Sequence, residues 1–226
     1  MPEGIWQPFQ VTLQLAGMTT IVLMLLGTPL AWWLSSMREG FSGRIRPVLE
    51  TFVGLPMVLP PTVLGFYLLV AFSPDFWLGR LWMDITGSTL AFSFSGLVLA
   101  SVLYSMPFVV QPLQRAFEQL DRGLLESAAM LGAGPLDRFF SIVIPQCTRP
   151  LLLAACLGFA HTVGEFGVVL MIGGNISGET QVLSIALYDA VESQDFMAAH
   201  TMAGGLLLFS MTLLIVLYSF DRKGRS

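Results

Sequence analysis

Charged residues are spaced along this chain so that long windows contain none. Residues 4–37, 51–74, 85–114 and 196–220 hold no Asp, Glu, Lys or Arg, and 150–178 hold only Glu165. Each window exceeds the roughly 20 residues an α-helix needs to cross ~30 Å of hydrocarbon. The pattern predicts an all-α membrane protein in a single domain over 1–226, with spanning helices near 11–35, 49–72, 90–114, 150–173 and 198–220. The stretch 181–195 (QVLSIALYDAVESQD) is too short and too acidic to make a sixth. The first window is longer than the apolar part of a secretory signal. No basic segment precedes it, Glu3 being the one early charge, so a retained helix is expected.

Composition agrees. Of the 226 residues 54% are hydrophobic and 12% charged, with mean hydropathy +0.74. Soluble domains carry about 25% charged residues, so a water-soluble helical bundle is set aside. Membrane lipid is the expected surrounding. The formal net charge of −4 is spread among the loops and points to no nucleic-acid partner.

Five spans place alternate loops on opposite sides. One side then receives Arg38, Arg44, Arg46, Arg115, Arg122, Arg138, Arg149, Arg222, Lys223 and Arg225, and the other Arg80 alone. Basic residues collect on the cytoplasmic side. The N-terminus is therefore expected outside, with 118–146 and the C-terminal tail in the cytoplasm.

Several chemistries are missing. There is no G-x-x-x-x-G-K-[ST] loop to cradle nucleotide phosphates, and the single lysine is Lys223. His161 and His200 fall on different predicted helices without an H-E-x-x-H arrangement, and no G-x-S-x-G stands around Ser105. Cys147 and Cys156 lie nine apart, without C-x-x-C or a His at ligand spacing, and read as packing residues. No catalytic residue, metal site or cofactor is expected.

The segment 126–146, ESAAMLGAGPLDRFFSIVIPQ, interrupts the apolar runs. Asp121 suits the cap of a helix from Arg122 to Leu131, and Gly132 and Gly134 suit its end. Pro135 suits the first turn of a second helix, Leu136 to Phe140. Leu124, Ala128 and Leu131 fall on one face at spacings of four and three. Arg122, Glu126 and Asp137 remain for solvent or a partner, while Ser127, Ala128, Ala129 and Gly132 offer a surface that another protein can approach closely. A helix–turn–helix knuckle results.

Its residues follow the pattern E-x-A-x-x-x-G, nine residues, then I-x-[LI]-P, through Glu126, Ala128, Gly132, Ile142, Ile144 and Pro145. This resembles the signature loop of bacterial ABC importer permeases, with Ser127 where Ala is usual and Ile144 where Leu is usual. The resemblance implies the type I permease fold and a coupling helix, formed by Glu126, Ser127, Ala128, Ala129, Gly132, Ile142 and Pro145, that docks on a cytoplasmic ATPase subunit. Nucleotide hydrolysis would then belong to another chain, in keeping with the missing phosphate loop.

Two more segments extend the likeness over nearly the whole chain. LPMVLPPTVLGFYL (55–68) sets Pro56, Pro60 and Pro61 at the start of the second predicted span, where prolines are tolerated. GEFGVVLMIGGNISGET (164–180) puts Glu165 inside the fourth. A carboxylate at membrane depth costs several kcal/mol unless it is paired, neutral or facing water. Arg149, the nearest basic residue in sequence, is sixteen positions away, so a partner must come from elsewhere in the fold. A negative charge is an odd lining for an anion path, and a structural role, bonding backbone freed near Gly164 and Gly167, is the favoured expectation. Pro60, Pro61, Gly164, Glu165, Gly167 and Asn175 are the candidate pathway or structural residues within the membrane.

Together these segments look like the molybdate branch of the importer permeases; sulfate permeases share GEFG and the loop. The branch implies a homodimer in the bacterial inner membrane, two ATPase subunits below it, a periplasmic oxyanion-binding protein above it, and molybdate as substrate. Tungstate, sulfate or thiosulfate are the alternative cargoes. A stand-alone ion-coupled carrier or channel, with Glu165 as its titrating group, is the alternative of another class, and the knuckle speaks against it.

Overall fold

In the computed structural model, residues 3–37 and 40–222 are described. Of the basic residues counted above, Arg38, Lys223 and Arg225 lie outside them. The described residues are helices and connectors: α1 (Glu3–Ser36), α2 (Gly40–Val58), α3 (Pro61–Phe72), α4 (Trp77–Thr86), α5 (Phe94–Glu118), α6 (Arg122–Met130), α7 (Pro135–Arg138), a π-helical turn (Phe139–Val143), α8 (Ile144–Gln146), α9 (Thr148–Val163), α10 (Gly167–Gly173), α11 (Leu183–Glu192) and α12 (Phe196–Arg222).

The fold is all-α, and α5 is its centre. α1 and α9 pack on α5 and on each other, α2 and α10 pack on other faces of α5, and α12 covers α9 and α11 from outside. The core is apolar: Leu15 and Leu23 of α1, Leu97, Val109, Val110 and Leu113 of α5, Ala154 of α9 and Ile172 of α10 are buried. Small residues set the helix spacing, as lipid-embedded packing requires. A Cβ on Gly158 of α9 would come within 2.8 Å of Val109.

Among the described residues three helices, Ile5–Ser36, Phe94–Glu118 and Phe196–Ile215, are long and apolar enough to cross a membrane, and the number rises to five if each of two bent pairs is one span. The first bend departs from a straight helix predicted, and the second falls between the loop 118–146 and the span predicted from 150. The predicted 49–72 helix breaks between α2 and α3 with a bend of 112°. Pro60 and Pro61 are the cause: neither has an amide to donate, and the residue before a proline is pushed out of the helical region. Pro60 accordingly sits at φ −55°, ψ 135°. The segment Pro135–Gln146 meets α9 at 77°.

The predicted 150–173 helix is also interrupted, since α9 ends at Val163 and α10 begins at Gly167. Glu165 is therefore in a break, not inside a helix. Among the described residues, two short helices lie beyond both the predicted spans and the predicted loop 118–146. α11 falls within 181–195, and α4 turns back over the end of α3, where a Cβ on Gly79 would meet Ser73 O at 2.2 Å.

Candidate functional site

The knuckle is built from local signals. Asp121 Oδ1 accepts from the Gly123 amide at 2.8 Å and caps α6. At the other end the Ala133 amide donates to Ala128 O and the Gly132 amide to Ala129 O, each at 3.0 Å. This is the Schellman arrangement, which needs a residue of positive φ. Gly132 supplies it at φ +91°. Pro135 takes the first position of α7, where its missing amide costs nothing. Arg138 Nη1 donates to Leu125 O at 3.4 Å and ties α7 to α6. Trp32 of α1 seats the base of the knuckle, with ring centroids 5.6 Å from Phe117 and 5.9 Å from Phe139.

Glu126, Ser127, Ala129 and Gly132 are exposed and Ala128 is half-buried. Leu124, Ala128 and Leu131 do not form the inward face of α6. Leu125 packs on the core instead. At the tip Met130 and Leu131 are 90% and 89% exposed.

The second helix of the knuckle, expected over Leu136 to Phe140, is α7 followed by the π-helical turn, in which the Ile144 amide reaches Phe139 O. The wider turn accommodates Pro145, whose ring would crowd the carbonyl four residues back in a regular helix. Half-buried Ile142 and exposed Pro145 stand on this stalk and apart from the tip.

A second region lies where α3, α5, α9 and α10 converge. Here a cleft of about 630 Å³ is lined by Pro61, Thr62, Tyr104, His161, Gly164, Glu165, Phe166, Gly167, Leu170 and Met171. The break that holds Glu165 follows from its neighbours. Gly164 ends α9, and Phe166 is at φ −128°, ψ −60°, outside the helical range. Gly167 then lets α10 approach α3, since a Cβ there would come within 2.8 Å of Pro61 Cβ.

Glu165 is only 4% exposed. Its side-chain partner is not the backbone near Gly164 and Gly167. Ser101 of α5 donates to Oε2 at 2.8 Å, Oε1 has no protein partner, and the main-chain oxygen accepts from Ser184 at 2.6 Å. One turn below, Ser105 and His161 Nδ1 are 2.8 Å apart, and the imidazole stacks on Phe108 at 3.9 Å. Ser101 and Ser105 on one helix thus face Glu165 and His161 on the next break and helix, each pair four residues apart. That spacing is visible in the sequence; the pairing is not, because 64 and 56 residues separate the partners. Sequence reasoning missed Thr62, Tyr104, Ser101 and Ser105.

The structure brings Pro61, Gly164, Glu165 and Gly167 together, with Pro60 capping α3 beside them. Asn175 is elsewhere. It sits at φ +60° in the loop beyond α10, where its Nδ2 and Gln181 Nε2 donate to Asp189 Oδ2 of α11 at 2.9 and 3.1 Å.

Residues 24–223 match the family of binding-protein-dependent transport system inner membrane components. Over 213 residues the chain is 52% identical to the molybdenum transport system permease protein ModB of Azotobacter vinelandii, covering 94% of this chain and 92% of that one. It is 32% identical to ModB of Escherichia coli K12, over 93% of this chain and 89% of that one. The sulfate transport system permease protein CysT of Synechocystis is also 32% identical, over 99% and 79%. Among solved structures, a bacterial ABC transporter that imports alginate superposes with TM-score 0.77 at 17% identity, covering 99% of this chain and 80% of that one. The MetNI methionine ABC transporter gives 0.72 at 16%, covering 97% and 94%. The chain belongs to the family of binding-protein-dependent transport system inner membrane components, and its fold is that of ABC importer permeases.

Proposed function

We propose that this family member is the permease subunit of an ATP-driven molybdate importer, and that two copies form the pathway across the bacterial inner membrane. The observation that carries the proposal is a knuckle whose shape is fixed by caps, a Schellman turn and an aromatic base, yet whose tip exposes Met130 and Leu131. A rigid apolar prominence serves a protein that grips it. The grip is assigned to a cytoplasmic ATPase subunit, one on each permease copy, with Glu126, Ser127, Ala128, Ala129 and Gly132 at the contact and Ile142 and Pro145 in the stalk behind it.

Molybdate as cargo rests on the 52% identity to the molybdenum permease. A periplasmic oxyanion-binding protein delivers it on the opposite side. Five spans, taken as the apolar windows of the sequence, put the N-terminus in the periplasm and the knuckle and C-terminus in the cytoplasm, following the basic residues. The cleft beside Pro61, Tyr104, His161 and Glu165 is the part of the pathway within one copy, and the Glu165 break is its structural hinge. The two sites are linked by alternating access: ATP binding moves the knuckle, and the helices lining the cleft open to one side at a time.

Coexpression with the ATPase and binding protein, purification, and reconstitution into proteoliposomes test this. The ATPase should copurify, and molybdate-loaded binding protein should stimulate ATP hydrolysis and uptake. Stimulation by sulfate but not molybdate would move the chain to the sulfate importers, a reading favoured by the 32% identity to CysT. ATP-independent uptake by the isolated chain would refute the proposal.

A further inference from the structure

A single guanidinium joins the arm of the knuckle to the wall of the cleft. Arg46, near the start of α2, donates through Nε to Glu50 Oε1 at 2.7 Å and through Nη2 to Glu118 Oε1 at the last turn of α5. Its Nη1 donates to Met37 O, just past the end of α1, at 3.3 Å. Gln114 of α5 closes the cluster, its amide reaching Glu50 at 2.5 Å and Glu118 at 3.3 Å. One side chain thus ties α2 to the ends of α1 and α5, and it can do so because a guanidinium presents donors in several directions from one rigid plane.

Connectivity gives the cluster its meaning. From Glu118 only Gln119, Leu120 and Asp121 separate α5 from the first helix of the knuckle. From Arg46, α2 runs without a break to the Pro60–Pro61 bend, and Pro61 and Thr62 line the cleft. A displacement of the knuckle that pulls on the end of α5 therefore reaches α2 through Arg46 and the bend through α2. The cluster is half-exposed, with side-chain accessibilities of 22% for Arg46 and 26% for Glu118. A partly hydrated ion pair holds orientation while adding little net stability, which suits a joint better than a foundation.

We infer that Arg46 is a positioning residue for coupling, fixing α2 to the end of α5 so that motion of the knuckle moves the cleft wall. This rests on the importer function proposed above. The test uses the whole reconstituted complex and reads ATP hydrolysed per molybdate imported, beside ATPase copurification and basal hydrolysis. Arg46→Ala should assemble with the ATPase and hydrolyse ATP at a basal rate within about twofold of wild type, while the ATP-to-molybdate ratio rises at least about fivefold. Arg46→Lys keeps the charge without the fork and should give an intermediate ratio. The double variant Arg46→Glu with Glu118→Arg restores an Arg between two carboxylates and should bring the ratio back to within about twofold of wild type.

An unchanged ratio in Arg46→Ala would overturn the inference. So would a raised ratio that the double variant fails to lower, since the contact would then be dispensable or merely structural. If Arg46→Ala does not assemble, the Lys and double variants decide by the same ratio. Failure of the wild-type chain to bind an ATPase would instead refute the importer function itself, and the inference with it.

Discussion

Ser101 Oγ lies 2.8 Å from Glu165 Oε2 and fastens the middle of α5 to the break between α9 and α10. The bond spans the core of the bundle and ends on a carboxylate that is almost wholly buried. Removing one partner of a buried polar contact leaves the other unsatisfied, at a cost of about 1–3 kcal/mol.

Glu165→Gln should therefore fold and retain measurable transport, because the amide still offers an oxygen to Ser101. Glu165→Leu should impair assembly, since it removes the acceptor and leaves the Ser101 hydroxyl buried without it. Ser101→Ala should lower the thermal midpoint of the detergent-purified protein without abolishing insertion. Yield, melting temperature and uptake check the set. Full transport by Glu165→Leu would exclude the structural role.

Two glycines should distinguish the cleft from the loops. Gly65 of α3 faces Met171 of α10 with no room for a Cβ, at 2.8 Å, and Gly167 faces Pro61 equally closely. Gly167→Ala would push α10 from a proline ring that cannot rotate away, an overpacking cost of about 1–3 kcal/mol, and should reduce uptake several-fold. Gly134→Ala is the control. It meets nothing within 4 Å in this chain and its φ of −68° suits any residue, so the melting temperature should match wild type.

Gly132→Asp should separate insertion from coupling. A Cβ at Gly132 meets nothing within this chain, so the variant bears only the strain of positive φ, about 1 kcal/mol, and should still reach the membrane. It also adds a negative charge where the helix dipole disfavours one. Binding-protein-stimulated ATP hydrolysis and uptake should be lost, as the added carboxylate enters the docked surface. Glu126→Lys, also exposed, should weaken ATPase copurification by inverting a charge at that surface. Normal stimulation and copurification in Gly132→Asp would reduce the knuckle to a connector.

Sidedness can be read by labelling single cysteines in a background lacking Cys147 and Cys156. Ser88→Cys and Ser177→Cys, at exposed positions, should react with an impermeant maleimide from the periplasm, and Ser127→Cys and Ser141→Cys, also at exposed positions, only after the membrane is opened. Labelling of the Ser127→Cys variant from the periplasm would reverse the assigned topology and sink the coupling role with it.

The sequence by itself determined the helical class, because windows without charge longer than a bilayer leave the backbone few ways to satisfy its hydrogen bonds. It also determined the knuckle, whose stop and start signals act over four or five residues. Asp121, Gly132 and Pro135 do in the structure what their local chemistry dictates. Tertiary structure alone decided what Glu165 bonds, because its partner Ser101 is brought in by helix packing across 64 residues.

The breaks fall between these cases. Pro60–Pro61 and Gly164–Gly167 are legible as weak points, but hydropathy runs through them unchanged, so a span and a bent pair of helices look alike along the chain. The direction of each bend depends on which neighbour offers a surface, and α10 meets α3 only because Gly65 and Gly167 leave room. The Arg46 cluster is likewise a product of packing. Glu50 lies one helical turn from Arg46 and was open to view, whereas Glu118 lies 72 residues on, and only the meeting of α2 with α5 places it within reach of the same guanidinium.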